Sequence, residues 1–152
     1  VNLSYKGFDF GALFSGVGRT WNILSGNVIP VSNKGVYYNV FTNYHDRWTV
    51  DNPSQDVFYP RLDYGTNANN NQASTWWLKD MSFLRLKNVE LGYSFPKAML
   101  DKIKVAGIRV YLRGTNLLTF SSFKLWDPEL KSTTGAAYPA MKSASFGVEF
   151  KF

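Results

Sequence analysis

The sequence contains no cysteine and only one histidine, His45, in 152 residues. Neither a disulfide framework nor a thiolate metal site can therefore form, and one histidine without cysteine offers no catalytic or transition-metal constellation. No stretch approaches the roughly eighteen consecutive apolar residues that indicate a transmembrane helix. The sequence accordingly predicts no enzyme activity, no bound cofactor and no metal site.

Basic residues outnumber acidic ones, but they are not clustered. Seventeen Lys and Arg against eleven Asp and Glu give a formal net charge of +6, and the basic residues are scattered through alternating segments. A nucleic-acid footprint gathers its basic residues into a patch or stripe, so we expect no nucleic-acid partner. Aromatic residues are abundant instead, with five Trp, nine Tyr and twelve Phe. Rings with a polar tip favour a water–hydrocarbon interface, and they are also enriched in sugar-binding sites.

The end of the chain, 142–152, alternates without a break. One side carries Ala144, Phe146, Val148, Phe150 and Phe152, while the other carries charges, hydroxyls and a glycine. Because strand side chains point to opposite faces with a period of two, one face is apolar and the other polar. A strand of this length tilted by about 45° spans roughly 25 Å, the height of the lipid-facing band of an outer-membrane barrel. This segment predicts a membrane-spanning strand.

Alternation predicts five strands in all. They lie at 1–6, 8–20, within 80–95, 108–120 and 142–152. In the third, Leu84 and Leu86 have one parity whereas Val89 and Leu91 have the other, so we predict a bulge near Lys87. Between the third and fourth strands, 96–106 predicts one or two helical turns, with the apolar residues Ala98, Met99, Leu100 and Ile103.

The connections alternate in length. Strands one and two, and strands three and four, join through compact turns, whereas 21–79 is a long polar loop and about twenty residues precede the last strand. Short turns on one rim and long extracellular loops on the other are typical of outer-membrane barrels. We therefore predict an all-β fold, a transmembrane antiparallel β-barrel with one short helical turn in a periplasmic connection. Five strands cannot close a barrel, and the amino end reads as a strand already in progress, so we expect a piece of a longer protein.

Several segments resemble those of a known family, the SusC/RagA-like TonB-dependent outer-membrane transporters of Bacteroidota. The most recognisable is S-F-L-R-L-K-N-V-E-L-G-Y-S-F-P at 82–96, followed by R-V-Y at 109–111 and G-T-N-L-L-T-F at 114–120. D-P-E at 127–129 and Y-P at 138–139 resemble the last extracellular loop. R-W-T-V-D-N-P at 47–53 and Y-P-R-L at 59–62 resemble elements of the long loop, with Val50 and Asp51 where the family usually has Pro and Glu.

The resemblance implies a barrel of about 22 strands with a plugged lumen, of which 1–152 would supply the last five and 21–79 a long extracellular loop. It implies import of large nutrients, glycans or peptides, beneath a SusD-like lipoprotein lid and driven through TonB. The implied partners also include the remaining barrel and plug, outer-membrane lipid and a second transporter copy in a dimeric complex. The implied location is the outer membrane with a periplasmic carboxyl terminus. Phe146, Val148, Phe150 and Phe152 resemble the signal recognised by the outer-membrane assembly machinery.

Two groups of candidate functional residues follow. Charged side chains of the strands are predicted to face the lumen, where water or plug tolerates charge: Arg85, Lys87, Glu90, Arg109, Arg113, Glu149 and Lys151. For these a solvated or plug-contacting role is favoured over direct substrate contact. In the long loop, Trp48, Tyr59, Arg61, Trp76 and Trp77 are candidates to stack on a sugar or pack on the lid, beside the alternatives of loop packing and an interfacial girdle.

Two other hypotheses compete with the transporter. A soluble, aromatic-rich glycan-binding β-sandwich would show the same alternation, and a small outer-membrane barrel enzyme would share the membrane features. The sorting of short and long connections and the aromatic carboxyl terminus favour the transporter over the sandwich. The absence of a nucleophile, base or metal constellation disfavours the enzyme.

Overall fold

The structure, a computed structural model, describes residues 1–26, 42–62, 67–101 and 104–152. The chain divides into two compact units. The first, called here the sheet unit, comprises Val1–Thr20, Asp80–Leu130 and Ala137–Phe152. The second, the loop unit, comprises Trp21–Lys79 and Lys131–Ala136.

The sheet unit is built on five antiparallel strands. They are β1 (Asn2–Tyr5), β2 (Phe8–Val17), β5 (Phe83–Ser94), β6 (Gly107–Ser121) and β7 (Ser143–Lys151), in the spatial order β1-β2-β5-β6-β7. All five predicted strands are present, and each pairs in antiparallel register with its neighbours in that order. This confirms the mostly antiparallel β character that the alternation predicts.

The second strand is shorter than predicted. We expected it to reach about residue 20, but β2 ends at Val17. Arg19 has a φ of 54°, in the left-handed region that an extended strand cannot include. Immediately after Arg19, a backbone hydrogen bond fixes the chain again: the Met81 amide donates to the Thr20 carbonyl at 2.8 Å.

The two faces of the sheet differ in chemistry as predicted. One residue from each of four adjacent strands forms a row on the face called here the apolar face: Phe10, Leu91, Leu112 and Phe146. These side chains keep 36–67% of their surface exposed, so no described part of the chain covers them. The next row, on the polar face, is Gly11, Glu90, Arg113 and Ser145. A large uncovered apolar surface marks a site of contact with another protein or a membrane.

The predicted bulge lies at Lys87. Leu13 pairs with Asn88 and Phe14 with Leu86, so Lys87 is an extra residue of β5 relative to β2. The register with β6 shifts at the same place. An extra residue restores the phase, and this is why Leu84 and Leu86 face the same side as Val89 and Leu91 despite their opposite parity.

Both short connections lie at one end of the sheet, together with the end of β7. Lys6 and Gly7 join β1 to β2 with φ values of 45° and 88°, the two positive angles that a tight hairpin turn requires. Between β5 and β6, the helix α1 covers Lys97–Leu100 and buries Leu100, as the sequence predicts for this connection. Residues 102 and 103 of the predicted helical region, including Ile103, lie outside the described residues.

Two short strands that the sequence did not predict lie in the loop unit, apart from Asp80, the last residue of the second strand, which belongs to the sheet unit. They are β3 (Trp21–Ile23) and β4 (Leu78–Asp80), which pair as a separate two-stranded sheet. A 3₁₀ helix covers Thr42–His45. Residues 27–41 and 63–66 of the predicted loop lie outside the described residues.

No helix among residues 1–26, 42–62, 67–101 and 104–152 is long and apolar enough to cross a membrane.

Candidate functional site

The polar face of the sheet carries a network of ion pairs that crosses four strands. Arg109 on β6 contacts Asp9 on β2 at 2.5 Å and Glu90 on β5 at 2.6 Å, and it lies 3.6 Å from Glu149 on β7. Arg113 contacts the second oxygen of Glu90 at 2.6 Å. We call these five residues the polar ladder. Both cations are on β6, between the anions of β2 and β5 on one side and the anion of β7 on the other, so each charge lies beside one of opposite sign.

Strand register and one glycine position the polar ladder. Glu90 is directly opposite Arg113, and Arg109 is directly opposite Glu149. Asp9 is opposite Gly92, and a Cβ on Gly92 would lie 2.5 Å from Arg109 Nη2 and 2.6 Å from the Asp9 carboxylate. The missing side chain therefore leaves the space through which the Arg109 guanidinium reaches across β5 to β2.

Tyr111 lies between the two arginines on the same strand. Its ring centroid is 5.2 Å from the Arg109 guanidinium carbon and 5.4 Å from that of Arg113, within the range of cation–π attraction. The ring occupies the space above Gly147, where a Cβ would overlap it. Tyr111 thus packs against both arginine side chains on the polar face.

The sequence predicts most of the ladder but not all of it. The sequence predicts a lumen-facing position for Arg109, Arg113, Glu90 and Glu149, and the structure brings these four side chains together. Asp9 was not among the candidates because the same face of β2 mixes it with apolar residues such as Leu13. Only the pairing of β2 with β5 shows that Asp9 completes the network.

A second charged cluster lies at the bulge of β5. The Arg85 guanidinium forms an ion pair with Asp127, and its Nε lies 3.4 Å from Glu129 Oε2. Lys87, the extra residue of the bulge, contacts Glu129 Oε1 at 2.6 Å. These four residues, the bulge cluster, tie the β6–β7 connection to the side of β5. Both of its cations were predicted as lumen-facing residues, but their partners were not.

Asp127 is the central anion of the bulge cluster. Only 2% of the Arg85 side chain and 9% of the Asp127 side chain are exposed. Besides Arg85, the Asp127 carboxylate accepts hydrogen bonds from the amides of Glu129 at 3.0 Å and Ala140 at 3.4 Å. Burial would raise the pKa of Asp127, but the bond from Arg85, followed by those from the backbone, outweighs burial and leaves the pKa below its ordinary value.

The five aromatic and arginine candidates of the long loop lie near one another in the loop unit. Tyr59 and Trp77 form its core with 4% and 1% of their surface exposed, and their ring centroids are 6.3 Å apart. Trp77 Nε1 donates to the Asn70 carbonyl at 2.9 Å, and the Tyr59 hydroxyl bonds to Asn43 at 3.5 Å. Burial raises the pKa of Tyr59, partly offset by Asn43. These two side chains hold the loop together.

Trp48, Arg61 and Trp76 are more accessible. The Trp48 amide donates to the Tyr59 carbonyl at 3.0 Å, and the Arg61 guanidinium lies 6.0 Å from the Trp48 ring centroid. Trp76 Nε1 donates to the Phe58 carbonyl at 3.1 Å, and part of the Trp76 side chain is exposed. The structure therefore separates the five candidates into two buried supports and three partly exposed side chains.

The last strand presents its aromatic side without cover. β7 is at the edge of the sheet and pairs with β6. The four residues predicted as an assembly signal, Phe146, Val148, Phe150 and Phe152, keep between 41% and 97% of their surface exposed. The remaining candidate, Lys151, is opposite Gly107 and packs its carbon chain on that glycine, 3.5 Å from the position of a Cβ.

Comparison with known proteins identifies the chain. No family model matches the sequence. It is 37% identical over 132 residues to TonB-dependent receptor P26 of Formosa agariphila, a match covering 84% of this chain and 12% of the relative. The structure matches the RagAB peptide importer in its open-open state with a TM-score of 0.73 and 33% identity, covering 98% of this chain and 16% of that chain. The chain belongs to the SusC/RagA-like family of TonB-dependent transporters.

Other relatives agree with this assignment. TonB-dependent receptor SusC of Bacteroides thetaiotaomicron is 28% identical over 156 residues, covering 99% of this chain and 14% of the relative. The chain thus spans less than a fifth of the length of these SusC/RagA-like relatives, and it corresponds to a carboxyl-terminal part of such a transporter. Members of the family are outer-membrane proteins. The relatives are named as receptors or importers, in agreement with the prediction that the chain is not an enzyme.

Proposed function

We propose that this chain forms part of the wall of a closed transmembrane barrel of about 22 strands that imports large nutrients across the outer membrane. The observation that carries this proposal is the sheet itself, with one apolar face that the described chain leaves uncovered and one face of mutually paired charges. In a barrel wall the first face contacts hydrocarbon and the second faces the lumen.

Strand length supports a membrane-spanning wall. A transmembrane strand tilted by about 45° needs roughly 9–11 residues. β2, β5 and β6 have 10, 12 and 15 residues, so each is long enough to cross. The free edges of β1 and β7 pair, in this proposal, with strands from the remainder of the transporter, because an unpaired strand edge in hydrocarbon costs several kcal/mol per backbone group.

The polar ladder suits a lumen wall beside a movable plug. Arg109 and Arg113 are already paired with carboxylates of their own sheet, so the wall needs no charge from the plug to be stable. Rearrangement of the plug then breaks none of these ion pairs. We assign the same lumenal position to Lys151, Arg85 and Lys87, with a structural role in the wall and not direct contact with the nutrient.

The loop unit is the proposed extracellular part of the chain. Its partly exposed Trp48, Arg61 and Trp76 are the residues we propose to contact a SusD-like lipoprotein lid or the nutrient, since aromatic and arginine side chains dominate such contacts. Tyr59 and Trp77 support them from inside. The peptide class follows the RagAB peptide importer, and the glycan class follows the family resemblance of the sequence.

If the loop unit is extracellular, the short turns and the carboxyl terminus, at the opposite end of the strands, lie in the periplasm. Coupling to TonB and the plug resides in the remainder of the transporter. The exposed aromatic side of β7 is available to the assembly machinery before the strand pairs with a neighbour, since a free strand edge can pair with another sheet.

Cell fractionation of the native full-length protein tests the membrane location, and a gene deletion tests transport. We expect the protein in the outer-membrane fraction, released only by detergent, and we expect the deletion strain to lose growth on at least one glycan or peptide source. Complementation should restore growth. Trp48→Ala together with Arg61→Ala should weaken co-purification of the lid, whereas Lys124→Ala, an exposed change outside the loop unit, should not. Recovery of a folded 17.3 kDa species from the aqueous fraction would contradict the proposal.

A further inference from the structure

Aromatic side chains crowd the end of the sheet that carries the two short connections. On the apolar face, the Phe8 and Tyr93 rings have centroids 4.5 Å apart, and Tyr93 and Phe95 follow at 5.2 Å. Phe150 and Phe152 stack 6.4 Å apart at the end of β7. We call this end of the sheet the short-turn rim. Aromatic belts of this kind lie at the headgroup level of a bilayer, so they mark where the membrane surface would be.

Three lysines of the described residues lie in the connections immediately beyond these rings. Lys6 is in the β1–β2 turn, Lys97 is the first residue of α1, and Lys104 follows α1 in the same β5–β6 connection. The two connections are neighbours, because the Ser94 amide donates to the Gly7 carbonyl at 2.8 Å. All three lysines are exposed.

Lys6 lies on the apolar side of the rim. Its ammonium lies 5.3 Å from the ring centroid of Tyr5. Tyr5 is opposite Phe8 in the β1–β2 register and therefore lies on the apolar face, with 71% of its surface exposed. Lys151 provides the contrast, since it lies at the same end but packs against Gly107 on the polar face.

Within the described part of the chain, none of these lysines has a carboxylate partner. Among residues 1–26, 42–62, 67–101 and 104–152, no carboxylate forms an ion pair with Lys6, Lys97 or Lys104. Asp101 is the one acidic residue between α1 and β6, and its carbonyl accepts from the Lys104 amide. The short-turn rim therefore keeps an excess of positive charge at the level of the aromatic belt.

We propose that Lys6, Lys97 and Lys104 bind the headgroup phosphates of anionic phospholipids in the leaflet at the short-turn rim. This rests on the proposed function, which makes that leaflet the inner leaflet of the outer membrane. Lysine stems lie along apolar surface while the ammonium reaches the polar layer, and the rings beneath fix the depth at which this happens. Each lysine near an anionic surface strengthens binding by about fivefold.

The test uses the purified full-length transporter in lipid nanodiscs that contain phosphatidylcholine with increasing phosphatidylglycerol. The number of phosphatidylglycerol molecules retained on the protein after release from the disc is counted by native mass spectrometry. The triple variant Lys6→Gln, Lys97→Gln, Lys104→Gln should need at least tenfold more phosphatidylglycerol for equal retention. The corresponding triple Arg variant should retain lipid like the parent, which separates loss of charge from loss of folding.

A matched control removes three positive charges elsewhere. Lys124→Gln, Lys142→Gln and Lys151→Gln lower the net charge equally but lie outside the lipid-facing side of the short-turn rim, so retention should stay within twofold of the parent. Equal retention by both Gln triples, or equal loss in both, would overturn the lipid proposal while the proteins still enter the bilayer. Failure of the parent to enter nanodiscs at all would instead overturn the proposed function, and this proposal with it.

Discussion

Arg85 on β5 and Asp127 in the β6–β7 connection form an ion pair that is almost completely withdrawn from solvent, with 2% and 9% of the two side chains exposed. The pair joins residues 42 positions apart, and it lies at the bulge where β5 changes phase. Together with the Lys87–Glu129 pair, it ties the β6–β7 connection to β5. The parts of this connection that belong to the sheet unit, 122–130 and 137–142, are therefore linked to β5 through a buried charge pair.

Removal of Arg85 should release the β6–β7 connection. Arg85→Met leaves the Asp127 carboxylate buried without its cation, a loss that costs about 3–5 kcal/mol. Hydrogen exchange followed by mass spectrometry on the full-length protein should show protection of 122–142 falling by about a hundredfold or more. Lys87→Met is the matched control, because about a third of its side chain is exposed and its pair with Glu129 is worth about 1 kcal/mol or less. Equal effects of the two variants would contradict the burial argument.

The same pair predicts a dependence on pH. The folded-state pKa of Asp127 lies below its ordinary value, so its stabilising contribution is present above that ordinary value and is lost as the pH falls through the lowered one. Protection of 122–142 should stay constant from pH 7 to about 5 and decline only in more acidic solution, below about 4. In Asp127→Asn the protection should be lower at pH 7 and should lose this acid transition. A transition near pH 6 in the parent would contradict the prediction.

Two glycines two positions apart should respond differently to substitution. A Cβ on Gly16 would lie 2.6 Å from the backbone carbonyl of Phe83, whereas a Cβ on Gly18 would meet nothing within 4 Å. Gly16→Ala should force β2 away from β5 at a cost of about 1–3 kcal/mol, and Gly18→Ala should change stability by about 0.5 kcal/mol or less. The denaturation temperature of the detergent-purified transporter, read from its heat-modifiable migration on gels, measures both. A lower denaturation temperature for Gly18→Ala than for Gly16→Ala would show that the strand contact is misjudged.

Burial separates the aromatic residues of the loop unit by role. Trp77→Ala removes a side chain that is 1% exposed and should destabilise the loop unit by about 3–5 kcal/mol. Limited proteolysis of the membrane-embedded protein should then cut within 42–79 much faster. Trp48→Ala should leave the cleavage rate within about twofold of the parent, since its ring is partly exposed, and should affect lid or nutrient binding instead. Rapid cleavage of both variants would indicate that Trp48 is also a structural residue.

The sequence predicts the five strands of the sheet unit well because their two faces differ in chemistry, and in β2, β5 and β6 the strand continues for 10, 12 and 15 residues. Even the bulge is visible, since the parity of Leu84 and Leu86 conflicts with that of Val89 and Leu91. The three-residue strands β3 and β4 are too short to show a period, and only their pairing defines them. This is the reason why the sequence shows a single long loop where the structure has a separate compact unit.

The charged residues of the site are predicted only in part, for a related reason. Alternation assigns Arg109 and Arg113 to a face, but it does not name their partners. Asp9 joins the polar ladder because Gly92 leaves space between β2 and β6, a property of the register and not of either segment. Asp127 lies in a connection with no period at all, so its pairing with Arg85 follows only from the folded chain.

Hydrocarbon is the proposed neighbour of the apolar face, and site-directed spin labelling tests this most directly. Leu112 and Arg113 are adjacent on β6, and the described sheet places them on opposite faces. A label is attached to Leu112→Cys or Arg113→Cys of the full-length transporter in liposomes, with cysteines elsewhere in the protein replaced. We expect collisions with dissolved oxygen to dominate at position 112 and collisions with a water-soluble nickel chelate to dominate at position 113. Dominance of the nickel chelate at 112, or protection from both reagents there, would contradict a lipid-facing wall.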